Sequence, residues 1–124
     1  MINEIFAKAF DDNSDMSGGA KRCGEMGEQA CTASNMLTSE LGETRDTFDD
    51  VDDYNALAEF ENSLGVSETD YVGFTIRVTV INDSDYNGLF VEGVDDNYTA
   101  KLITVTVTTP QNFDFVFSVY KANF

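Results

Sequence analysis

After residue 70 the chain alternates between apolar and mostly polar side chains, and it does so three times. Val72, Phe74, Ile76, Val78 and Val80 alternate with Gly73, Thr75, Arg77 and Thr79. Ile103, Val105 and Val107 alternate with Thr104, Thr106 and Thr108, and Phe113, Phe115, Phe117 and Val119 with Asp114, Val116, Ser118 and Tyr120. Successive side chains of a strand point to opposite faces, so a period of two marks a strand with one buried and one wet face. Pro110, the only proline, falls between the last two runs, where it breaks no ladder and helps set a turn. Leu89 to Glu92 has the makings of a further short strand between turn-rich segments at 82–88 and 93–97. Residues 71–124 are therefore expected to form an antiparallel sheet of three or four strands, whose apolar face needs a cover.

The cover is expected from the other end of the chain. Ile2, Ile5, Phe6, Ala9 and Phe10 lie at i, i+3, i+4, i+7 and i+8, one stripe of a helix over residues 1–10. No capping residue precedes the stripe. Two readings stay open: a short helix packed on the core, or the downstream part of a longer helix. Asp11, Asp12, Asn13, Ser14 and Asp15 compete for backbone hydrogen bonds and stop it, and Ser17, Gly18 and Gly19 add turn residues. Residues 11–70 read as an acidic, loop-rich region. Thr32 to Leu41 offers one or two helical turns ended by Gly42. Val51, Tyr54, Leu57, Phe60 and Leu64 point to a short helix over 53–63, with Gly65 past its end. One α+β domain spanning 1–124 is the expected class, its helix and its strands segregated along the chain.

Charge narrows the function. The chain of 124 residues carries 23 acidic and 7 basic residues and no His, a formal charge of −16. Such a chain repels phosphate backbones and anionic lipid, which argues against nucleic acid as a partner. With 42% apolar residues it can nevertheless bury a core. Residues 1–70 hold 17 of the acids and 4 of the bases, so the acidic half is where interaction residues are expected. Without His, a Ser-His or Cys-His nucleophile pair cannot be assembled, and neither a Gly-rich phosphate loop nor a Gly-x-Ser-x-Gly elbow is present. Catalysis is not expected.

Cys23 and Cys31 are the only cysteines. Two Cys without His fall short of a zinc site, so a disulfide is expected, which implies an oxidising compartment. No resident cofactor is expected, calcium being the one ion with a local pattern. Asp83, Asp85, Asn87 and Gly88 match the first half of an EF-hand-like loop. The match fails at the twelfth position, where Val94 stands in place of Glu and Glu92 comes two places early. The same residues are ordinary hairpin-turn material, which is the preferred reading. The segment Asp11 to Asp15 matches less well, with Met16 and Arg22 at the Gly and Glu positions. The run Asp46, Asp49, Asp50, Asp52 and Asp53 reads as a solvated face.

Several blocks resemble the MshD-type minor pilins of the mannose-sensitive haemagglutinin (MSHA) type IV pilus. They are the start Met1-Ile-Asn-Glu-Ile-Phe-Ala-Lys-Ala-Phe-Asp-Asp-Asn-Ser-Asp, then Gly18-Gly19, Arg22-Cys23-Gly24-Glu25 and Asp49-Asp50-Val51-Asp52-Asp53-Tyr54. The ending is similar too, from Lys101 through Pro110 to the Phe-rich strand and Tyr120-Lys-Ala-Asn-Phe124. The resemblance implies a pilin head whose helix continues upstream into an apolar half that anchors the subunit in the inner membrane. It implies periplasmic folding, then residence in an extracellular pilus that serves attachment, with other pilin subunits as partners. The cleavage and methylation motif of that family does not occur within residues 1–124. A pseudopilin of a type II secretion system and a surface- or carbohydrate-binding adhesion module are the alternatives.

Overall fold

The computed structural model describes residues 2–14, 22–60, 73–95 and 99–123. The order is a short helix α1 (Ile2–Phe6), two single 3-10 turns (Arg45–Thr47 and Asp52–Tyr54), and strands β1 (Ala58–Phe60), β2 (Thr75–Asn82), β3 (Ala100–Thr108) and β4 (Asp114–Ala122). The strands form an open antiparallel meander in the order β1-β2-β3-β4, so the coarse α+β architecture is as the sequence suggests. The β3–β4 turn carries Pro110 at its start and Asn112 in the left-handed region at φ 64°. Asn112 N–H donates to the Thr109 carbonyl at 2.9 Å.

The alternation becomes cross-strand pairing. Val78 faces Val105 and Val80 faces Ile103 in register, and all four are buried. Ile5, Phe48, Val51 and Tyr54 cover them, with Phe48 and Tyr54 edge to face at 5.0 Å between ring centroids. On the other face Thr104 and Ser118 share a hydrogen bond across β3 and β4, as suits a solvated surface.

The helices are shorter than the sequence suggests. α1 ends at Phe6, and Ala9 instead exchanges backbone hydrogen bonds with the 49–51 segment as an isolated parallel bridge. Of the expected stripe, Ile5 reaches the main core, Phe10 joins a separate cluster with Cys23 and Cys31, and Phe6 is exposed. The helix expected over 53–63 is replaced by the turn Asp52–Tyr54 and by β1. Ala56 adopts φ 65°, and the Ala56 and Leu57 backbone then bonds to Val78, so pairing with the open edge of β2 wins over the helical period. Residues 61–63, with Leu64 and Gly65, lie outside the described residues, as do Val72 and the segment from Asp15 through Gly19. Thr32 to Leu41 shows turns in place of helix, and Leu89 to Glu92 is not a strand. Among the described residues no helix is long and apolar enough to cross a membrane.

Candidate functional site

The expected disulfide is present: Cys23 and Cys31 are bonded and buried against Phe10. The Asn123 side chain donates to the Cys23 carbonyl at 3.0 Å, tying the C-terminal strand to this loop.

Beside it lies a buried cation that sequence reasoning missed. Lys101 Nζ donates to the Phe10 carbonyl at 2.7 Å, to Asp52 Oδ1 at 2.6 Å and to Asp11 Oδ2 at 3.2 Å, and it sits 4.4 Å from the Phe10 ring centroid. All three ammonium protons have acceptors. A signal was there to find: Lys101 shares the parity of Ile103, Val105 and Val107, so an extended β3 carries it onto the core face.

The run of aspartates departs from a solvated face. Asp50, Asp52 and Asp53 are buried. Asp50 Oδ1 accepts the N–H groups of Asp52 (2.7 Å) and Asp53 (3.2 Å), while Asp53 Oδ2 accepts those of Asp49 (2.8 Å) and Asp50 (3.0 Å). Carboxylates thus supply the acceptors that a helix would have supplied to these amides. Burial pushes the Asp50 carboxyl up to about 8, helped by the charges of Asp52 and Asp53 against the pull of Lys101. Burial raises Asp52 to about 6, also against Lys101.

Both values lie above the ordinary 3.8. Between pH 4 and 8 the folded chain therefore holds protons that the unfolded chain has released, and stability falls as pH rises through that window. Glu4 shifts the other way: burial is outweighed by its bonds with Arg45 (2.8 Å) and Tyr54 (2.8 Å), so its contribution is lost only as pH falls through its lowered value. In chelator-treated buffer the melting temperature should peak near about pH 4 to 5 and decline toward pH 8. A rise over that range would refute this account.

The calcium candidates Asp83, Asp85 and Asn87 come together in the β2–β3 connection, and Asp95 joins them, a residue the twelve-position pattern passed over by one place. One carboxylate oxygen from each of Asp83, Asp85 and Asp95 lies within 4.8 Å of the others. These groups are engaged by the turn itself. Asp83 accepts the N–H groups of Gly88 (2.7 Å) and Asn87 (3.1 Å) and the Tyr120 hydroxyl (2.6 Å), and Asp95 accepts those of Val91 (2.6 Å) and Ser84 (2.8 Å). Although burial pulls Asp83 upward, these donors, Tyr120 foremost, hold it below the usual carboxylate range. Asn87 is itself bonded to Asp85 at 3.0 Å. Glu92 and Val94 are exposed.

The largest departure from expectation is β4. Phe115, Phe117 and Val119 face Val107, Val105 and Ile103 in register, so they do lie on the core face. Yet Phe113, Phe115, Val116 and Phe117 are 67, 56, 61 and 52% exposed. The parity holds but the cover is partial: α1 touches β4, where Lys121 Nζ donates to the Phe6 carbonyl at 2.7 Å, yet Phe115 and Phe117 stay more than half exposed. Between α1 and this edge strand lies an open groove of about 600 Å³, lined by Asn3, Phe6, Val116, Phe117, Ser118 and Val119. Comparison with protein-family models matches no family, and no curated protein or solved structure is significantly similar to the chain.

Proposed function

We propose that this chain is the head of a minor structural subunit of an MSHA-type IV pilus, a protein that acts by assembly with other pilins. The observation that carries the reading is the uncovered β4. A sheet edge leaves a row of backbone groups unpaired, and natural proteins usually blunt it with charge or a cover. Here Phe115 and Phe117 stand exposed on the core face of the edge strand, with Phe113 just before it and Val116 on its opposite face, apolar side chains of the kind that mark an interaction site. The groove beside Phe6 and Phe117 suits an apolar helix or the edge of a neighbouring subunit. The order of elements, helix first and sheet last, is the one the pilin resemblance implies, as is the disulfide.

In this reading the head folds in the periplasm, is retained at the inner membrane by a helix upstream of Met1, and enters an extracellular fibre that supports attachment. The full-length gene tests it. Its deletion should reduce surface pili, and complementation with a Phe115→Asp/Phe117→Asp variant should fail to restore them. The purified variant head should melt within a few degrees of the parent, since exposed substitutions usually change stability by about 0.5 kcal/mol or less. Normal pili in the variant strain would remove the edge strand from assembly. Loss of protein secretion with intact pili would instead favour the pseudopilin, and loss of attachment alone the adhesion module.

A further inference from the structure

A second acidic cluster, remote in sequence from the β2–β3 connection, has a feature that the first lacks. Glu40 and Glu43 come from one loop and Asp53 from the 3-10 turn Asp52–Tyr54, and one carboxylate oxygen of each lies within 4.8 Å of the other two. Asp12 adds its negative charge beside Glu40, and Asp49 lies near Glu43 and Asp53. Asp53 is 2% exposed. Its Oδ2 is saturated by the Asp49 and Asp50 amides, whereas Oδ1 is buried with no hydrogen-bond donor among the described residues. A buried carboxylate oxygen without a donor is costly, and one ready account is an ion or water on it.

We infer that Glu40, Glu43 and Asp53 bind one calcium-like divalent cation, with Asp53 Oδ1 as the anchoring ligand and Asp12 beside it. Calcium–oxygen distances of about 2.3 to 2.6 Å place ligands on opposite sides of the ion about 5 Å apart, so oxygens within 4.8 Å of one another fit a single coordination sphere. The donors are all hard oxygens, which selects calcium-type ions over zinc or copper. Glu40 is exposed, which leaves room for the waters that complete six to eight ligands. A bound ion would fasten the 40–43 loop to the buried 50–53 turn. The site is independent of the pilus reading and would exist whatever the chain assembles with.

The test is calorimetric titration of the chelator-treated protein with calcium chloride at pH 7, alongside melting curves with calcium and with chelator. One saturable site and a raised melting temperature are expected. Glu40→Gln/Glu43→Gln, which replaces two carboxyl ligands by amides and spares the buried Asp53, should weaken binding at least about tenfold. Asp85→Asn, in the other acidic cluster, should bind as the parent does. Absence of saturable binding would overturn the inference. Undiminished binding by the double Gln variant would overturn it too, as would loss of binding in Asp85→Asn, which would move the site to the β2–β3 connection.

Discussion

Lys101→Met should destabilise the domain by about 3 to 5 kcal/mol, read from urea denaturation at pH 7. The aliphatic stem is replaced nearly in kind, so the loss comes from the missing charge. Asp11 and Asp52 would be left buried without their cation, and the Phe10 carbonyl without its donor. Removing one partner of a buried pair costs far more than the pair contributes, because the other partner keeps its desolvation penalty. A triple variant that also carries Asp11→Asn and Asp52→Asn should recover part of the loss by removing both orphaned charges. A loss below about 1 kcal/mol in the single variant would mean that water reaches these carboxylates. Net stabilities of single domains run to about 5 to 15 kcal/mol, so this one contact can decide whether the domain stays folded.

Loss of the disulfide should come next in size. Cys23 and Cys31 are eight positions apart, and closing so short a loop is worth roughly 2.5 kcal/mol in the chain-entropy model. Their buried contact with Phe10 adds to that. Cys23→Ala/Cys31→Ala is therefore expected to lose about 2.5 to 4 kcal/mol. Adding reductant to the parent should reproduce most of the change. The effect should not add to that of Lys101→Met, because Phe10 is the shared neighbour: its ring packs on the disulfide and under the ammonium, and its carbonyl accepts from Nζ. A double-mutant cycle should show a coupling of about 0.5 kcal/mol or more, whereas strict additivity would mean that the two features hold separate parts of the fold.

The strands were readable because their signal is local. A period of two needs no knowledge of partners, and Val78, Val80, Ile103 and Val105 are buried as their parity requires. The cysteine pair was readable by elimination of zinc. The helices were not, since apolar residues three or four apart also suit a turn followed by an edge strand. Val51 through Leu57 went to the second because β2 offered unpaired backbone to bond with. The acidic run misled for a related reason. Asp usually faces water, but a loop without a helix or sheet ladder must find acceptors for its buried amides, and Asp50 and Asp53 supply them. Asp95 and Glu40 were missed because each meets its cluster through a chain reversal that no spacing rule encodes.

What the sequence determined by itself is the sheet, its two-sidedness and the excess of negative charge, all properties of single residues or of near neighbours. What only the tertiary structure decided is where the negative charge goes and which apolar residues stay uncovered. Burial is a property of what lies opposite. Asp52 becomes an interior ion because Lys101 arrives from β3, and Phe117 stays exposed because no described segment arrives to cover it.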